Sequence, residues 1–457
     1  MAGESILPKK MNSMLEQSGQ QSLKRVLGLR HLVIYGIAFM TPIAPAYIYG
    51  YVSSMTGGMM ALAYCVAMVA MLFTASSYGK MSAAFPSGGS TYSYTQKALA
   101  PGIGFMAGWA MYMDYVLVPL IVLMMGATYA NTLLPFIPYQ IWVLILAAIV
   151  FTVNFRGIGF TAKANNILVI YMGAIVLVFV LLGIKALING TGAATLISAK
   201  PFFNAGTFTT SAIVSGAALA SFSFLGFDSI TTLSEEAIRP KKDIGRAAML
   251  SCLIGGLIFI IQVYIAQLVW PDYNAFHSVD AAFFEIVELV GGSIFSIFFT
   301  AAIIVSTLSA GLTGQASAAR VMYAMGRDEM LPKKFFSYLH PKYSTPTYNI
   351  FLMSLIGVVG AMLLPLNLVA ELMNFGALLG FIFVNLSVIV YFFFKMKERD
   401  WIRNLIIPAL GLIICAYLWL NLSGLTLKVG FIWLTLGLIY VIFITKGFKK
   451  NPTIYKE

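Results

Sequence analysis

An all-α membrane protein with about twelve transmembrane helices is the fold class that this 457-residue sequence predicts. Three observations lead there. The chain is 60% hydrophobic and only 10% charged, a balance that leaves too little polar surface to cover a water-soluble globule of this length. Apolar stretches of about 20 residues, each long enough to cross roughly 30 Å of hydrocarbon, recur from residue 31 to residue 446. Lys and Arg alternate by loop: with the N-terminus in the cytoplasm, 26 of the 29 fall inside and only Lys185, Lys200 and Lys428 fall outside. That asymmetry orients the chain with both termini cytoplasmic and requires an even number of crossings.

The net charge of +12 is therefore explained by membrane topology and not by a nucleic-acid partner. The polar residues 1–30 lack the apolar core of a signal peptide, so they are expected to form a cytoplasmic tail. A transport core of ten helices is expected over 31–395, two further helices over 396–446 and a second cytoplasmic tail over 447–457.

The first span, 31–53, reads LVIYGIAFMTPIAPAYIYG, with Pro42 and Pro45 three residues apart in mid-membrane. Two prolines remove two N–H donors and clash with the preceding turn, so a true break is expected where a kink needs only one. Exposed helix ends at such a break can bind a zwitterion or a cation. The second span covers 58–79. The third, 103–134, is overlong and carries Asp114 in GWAMYMDYVLVPL, where a carboxylate must be functional or paired, with Tyr115 or a group on the tenth span as structural partner. The fourth and fifth cover 139–155 and 165–188.

The sixth span, 211–234, holds Asp228 directly after the interruption Ser223 to Gly226. An acidic side chain at membrane depth costs on the order of 2.5 to 3.5 kcal/mol. Something must face that carboxylate, and a discontinuous helix inside a bundle tolerates it. Glu235 and Glu236 follow at the cytoplasmic end beside Arg239, Lys241 and Lys242, and are expected to form a gate or a loop-ordering ion pair. Interrupted spans in first and sixth place correspond in two five-helix halves, which points to a site between them. The remaining spans are 246–270, 284–325, 347–364, 367–395, 403–421 and 428–446, the eighth again overlong. An overlong span must project or tilt.

Other chemistry is scarce. Cys65, Cys252 and Cys415 lie in apolar spans as small hydrophobes, and His31, His277 and His340 lack ligand spacing, so no metal and no cofactor is expected. The run PSGGS at 86–90 lacks the Lys of a phosphate loop, which argues against ATP. No acid, base and nucleophile gather at one depth, so an enzyme is not expected. The pairs Gly104/Gly108 and Gly376/Gly380 have the spacing of close helix packing.

FSFLGFDSITTLSEEAIRPKKDIGRA resembles the sixth-helix signature of the amino acid–polyamine–organocation transporter superfamily. AAFPSGGSTYSYTQKALAPGIGFMAGW (83–109) is similar to its junction between helices 2 and 3, and STLSAGLTGQASAARVMYAMGRDEMLPKKFFSYLHPKYSTP (306–346) to its helix 8 and following loop. MDYVLVPL, FSFLGFDSITTLSEE and MNFGALLGFIFVNLSV look most like bacterial putrescine importers. The resemblance implies a leucine-transporter-type inverted repeat of five plus five helices, with helices 1 and 6 discontinuous and helices 11 and 12 peripheral. It implies alternating access around a site lined by helices 1, 3, 6, 8 and 10. Carried over by position, Thr41, Ile43, Ala44 and Pro45 line the first break, Phe222 is an aromatic gate, Ser223 to Gly226 form the second break and Asp228 flanks it. Phe224 and Tyr47 also fall at the implied pathway.

Two departures from the family pattern bear on function. Putrescine importers carry an acidic residue where this chain has Tyr47, and proton-coupled amino acid members often carry a Lys where this chain has Met172. Coupling is therefore expected either from protons on Asp114 or Asp228, or from a sodium-like site of first-helix carbonyls with Ser306 and Ser309. The expected function is secondary active import of an amino acid, with a polyamine such as putrescine as the alternative substrate. An uncoupled channel or a membrane sensor on the same fold is a further alternative. The expected partners are the small amino-bearing solute, H+ or Na+, and the lipid of the plasma membrane.

Overall fold

The computed structural model describes residues 25–279, 282–364, 366–420, 422 and 424–444, with the side chains of 132, 133, 366–368, 370, 371 and 444 left aside. The expected tails therefore lie largely outside the described residues. The described chain is helical, with one isolated bridge between Leu27 and Ala237.

The first span is two helices, α1 (Leu29–Met40) and α2 (Pro45–Thr56), bent by 57°. The prolines account for the bend. Pro45 starts α2 at a first-turn position where its missing N–H costs nothing, and Thr41 takes a positive φ of 53° to turn the chain out of α1. α3 (Met60–Ala84), α4 (Ser90–Ala98), α5 (Pro101–Leu133), α6 (Tyr139–Phe155) and α7 (Ile158–Ile188) follow. α8 (Thr210–Ala220) opens the sixth span with the Thr209 hydroxyl capping the N–H of Ala212 at 3.1 Å. Two 3₁₀ segments, Ser221–Phe224 and Phe227–Leu233, continue it across the interruption.

α9 (Pro240–Val269) packs along α3 and α1. α10 (Ala282–Arg327) is 46 residues long, and its excess is divided at Gly292, whose φ of 66° and ψ of −175° break the helix. The kink sets a short N-terminal piece apart from the rest of the eighth span. A short helix α11 (Lys333–Phe336) precedes α12 (Thr347–Leu363) and α13 (Leu366–Val388). α13 runs on as a π-helical stretch over Ile389–Lys395, and a second π-helical stretch, Ile402–Ile406, leads into α14 (Ile407–Leu420), followed by α15 (Gly424–Ile444). The sequence places Glu371 at the opening of the tenth helix, where a carboxylate favours the N-terminus; α13 instead starts at Leu366, and the Glu371 side chain lies outside the described residues.

Among the described residues nine helices are long and apolar enough to cross a membrane, and the bent pair makes a tenth. α6 and α12 are apolar but have 17 residues each, about 25 Å at 1.5 Å per residue, the lower end of what spans a bilayer. The glycine pairs pack as expected. A Cβ on Gly104 would sit 2.5 Å from Gln96, and one on Gly108 2.7 Å from Tyr92, so α4 lies directly on α5. Gly376 and Gly380 bring α13 onto α5 at Ala110 and Met111 in the same way. α15 is fastened to α5 by stacked Trp109 and Trp433 rings 4.5 Å apart, each indole N–H donating to the other residue's carbonyl at 2.9 Å.

Candidate functional site at the junction of two broken spans

The prolines leave carbonyls without their helical partners, and the structure supplies a donor to each. Ala38 loses the N–H that residue 42 would have given, and the Ser309 hydroxyl on α10 donates to its carbonyl at 3.0 Å. Thr41 loses the N–H of residue 45 and is reached by the Ala44 N–H at 3.0 Å. The Ala46 N–H turns back to Ile43 at 3.0 Å, which frees the Pro42 carbonyl for Nε2 of Gln262 on α9 at 2.6 Å. The N–H groups of Ala44 and Ala46 are therefore engaged locally in this conformation. Ile43 and Ala44 are buried, and the half-buried Tyr47 places its hydroxyl against that of Ser306, which also donates to the Ile303 carbonyl at 2.6 Å.

At the second break Leu225 is extended and Gly226 has a φ of 117°. A side chain there would also collide with Phe39, whose ring carbon lies 2.6 Å from the Cβ position. Phe39 of α1 thus joins the two breaks, and only glycine permits both the turn and the approach. Ser223 is held by Tyr64 of α3, hydroxyl to hydroxyl, at 3.0 Å.

Asp228 is buried but not unpaired, which corrects its reading from sequence. The Tyr115 hydroxyl donates to its Oδ2, and the Gly226 N–H donates to its Oδ1 at 3.2 Å. Tyr115 therefore serves Asp228, not its neighbour Asp114. Asp114 is buried on α5 beside Gly376, and its Oδ1 accepts no hydrogen bond among the described residues. The two carboxylates flank one tyrosine.

A cavity of 410 Å³ opens between α8, α13 and α14. Of the sequence-derived candidates only Phe222 lines it, together with Leu225 from the break. Thr41, Tyr47, Asp114 and Asp228 do not. Phe224 belongs to the core, fully buried against Tyr64 and Phe259, and lies off the cavity.

At the Glu235–Glu236 end of the sixth span both glutamates form ion pairs, with partners other than the adjacent bases. Glu236 pairs with Arg320 at 2.5 and 3.0 Å, both side chains buried, and Glu235 accepts from Arg327 at 3.0 Å and from the Gly88 N–H at 3.1 Å. Arg239 turns to Asp243 at 3.1 Å instead. Both glutamates thus reach α10, because the 3₁₀ segment carries them away from the basic loop. The N–H groups of Val26 and Leu27 donate to the Glu236 carbonyl at 2.9 and 3.0 Å, adding the segment before α1 to the same knot. Asp328 beside it is pushed above the usual carboxylate range by burial, an effect opposed by the Tyr92 hydroxyl and the Arg327 guanidinium.

Tyr115, Tyr64, Gln262 and Phe39 complete the junction, and Arg320 completes the knot at Glu236. Two carry a signal in sequence, Gln262 as an amide in the apolar run IFIIQVYIAQLV and Arg320 as a charge inside the 284–325 span.

Known proteins share this chain's pattern over nearly its full length. The amino acid permease family matches residues 31–451. The chain is 38% identical over 441 residues to the low-affinity putrescine importer PlaP of Escherichia coli strain K12, covering 95% of this chain and 97% of the relative. It is 27% identical over 464 residues to the branched-chain amino acid permease BcaP of Bacillus subtilis, covering 95% and 96%. It is 25% identical over 465 residues to the methylthioribose transporter of the same organism, covering 96% and 97%. Together with the helical architecture and its apolar spans, these matches show that the chain is a multi-pass membrane permease, not an enzyme, and that it belongs to the amino acid permease family of the amino acid–polyamine–organocation superfamily.

Proposed function

We propose that the chain is a secondary active importer of α-amino acids in the plasma membrane, with twelve crossings and both termini cytoplasmic. The observation that carries the reading is the junction itself, where two interrupted helices meet at Phe39 and Gly226 beside a buried carboxylate. Helix ends brought together in this way offer dipoles and backbone groups to a zwitterion once the local bonds open. Residues 31–395 form the transport core in this reading and 396–446 flank it. Thr41, Ile43, Ala44, Pro45, Tyr47, Asp114, Phe222, Ser223, Gly226 and Asp228 are the residues we assign to the substrate path.

Two couplings are compatible with the chemistry. Asp114 and Asp228 can carry a proton, whereas Ser309, Ser306 and the Ala38 carbonyl can form an oxygen site for sodium once the Ser309 hydroxyl hydrogen rotates off the Ala38 carbonyl. The second substrate reading, a polyamine, draws support from the 38% identity to PlaP. Against it stands Tyr47, whose hydroxyl meets Ser306 at a position where a diamine would gain from a second carboxylate.

The deciding experiment is uptake by purified protein in proteoliposomes under separate proton and sodium gradients, with amino acids and putrescine in competition. An α-amino acid is expected to outcompete putrescine, and Tyr47→Asp to gain putrescine uptake. Putrescine uptake by the unaltered protein with no response to any amino acid would overturn the assignment.

A further inference from the structure

The cavity between α8, α13 and α14 reaches the break of the sixth span at Phe222 and Leu225 and extends to Leu418 and Leu422. Its volume of 410 Å³ lies at the small end of the range for small-molecule sites, about 300 to 1,000 Å³. None of its fourteen lining residues is charged. Met71, Leu219, Leu378 and Phe381 are among its apolar lining residues, Ser215, Asn374 and Tyr417 are polar but uncharged, and the Ser221 hydroxyl donates to the Ala217 carbonyl at 2.8 Å.

The lining selects by charge distribution. A diamine with one end at the break would push its second ammonium into this apolar space without an anion, a heavy desolvation cost. An α-amino acid keeps both charges at one end, where the Leu225–Gly226 backbone and Asp228 lie, and sends an uncharged tail into the cavity. We propose that this cavity is the side-chain subsite, so that the transported solute is an α-amino acid with a bulky apolar side chain. The proposal rests on the amino acid importer reading above. It also gives α14, outside the ten-helix core implied by the resemblance, a part in specificity through Leu418.

The test is uptake by the full-length protein in proteoliposomes, with labelled alanine, leucine, phenylalanine and putrescine. Unaltered protein is expected to prefer leucine to alanine by about tenfold or more, since each methylene in an apolar pocket is worth about that much. Ala218→Phe, which fills the cavity from α8, is expected to lower the leucine-to-alanine ratio by about tenfold. Leu418→Ala, which widens it from α14, is expected to raise the phenylalanine-to-leucine ratio, and it keeps the test open if the first variant does not fold. Alanine and leucine taken up equally well, or ratios unmoved in folded variants, would overturn the subsite while leaving an amino acid importer in place. Uptake of putrescine alone would overturn both.

Discussion

Asp228 cannot be read as a free charge, because Tyr115 and the Gly226 N–H already hold both of its oxygens. In the proposed cycle a substrate ammonium would compete with those partners for the carboxylate. Asp228→Asn is therefore expected to slow accumulation by about tenfold or more while the protein still folds, since an amide keeps the shape and loses the charge. Uptake at the unaltered rate across about pH 5 to 8 would make the carboxylate structural. The sequence made Asp228, Gly226 and the two prolines legible because each violates a rule of apolar helices. Tyr115 and Phe39 were not legible as its neighbours, since one of many Tyr or Phe residues in an apolar chain carries no mark of what it will touch.

At the scale of elements, α9 acts as a rail along both halves of the broken first span. Ser251 donates to the Val33 carbonyl at 3.0 Å below the break, Gln262 to Pro42 at 2.6 Å within it, and Gln267 accepts from Ser53 at 3.3 Å above it. Gln262→Leu strands a buried carbonyl, and a cost of about 1 to 3 kcal/mol is expected, read as a lowered melting temperature in detergent. An unchanged melt would show that Pro42 finds another donor. The Glu236–Arg320 pair is the second element-level tie. Arg320→Met leaves Glu236 buried and alone, with an expected loss of about 3 to 5 kcal/mol, whereas the double variant Glu236→Met with Arg320→Met should recover most of it. A double variant no more stable than the single one would locate the cost in packing. The sequence placed these glutamates beside charged neighbours but chose the wrong ones, because nearness along the chain does not survive a 3₁₀ turn that redirects the segment.

For the whole molecule, hydropathy was enough to place the long apolar helices among the described residues, and the correspondence holds best where apolar runs are long. It weakens at α6 and α12, whose 17 residues satisfy the pattern with little to spare, and at α10, where a single glycine divides what composition reads as one span. Orientation is the property that packing cannot report and labelling can. A cysteine placed at the exposed His277 is expected to react with an impermeant reagent from outside intact cells. Reaction only after the membrane is opened would reverse the topology.

The seven residues Phe227–Leu233 are wound as a 3₁₀ helix. At about 2.0 Å per residue, against about 1.5 Å in an α-helix, they hold roughly 3.5 Å of extra reach. Rewinding them would act as a winch, drawing the knot at Glu236 toward Gly226 without any change in the helices on either side. The stroke is comparable to the separation of a bonded guanidinium and carboxylate such as Arg320 and Glu236.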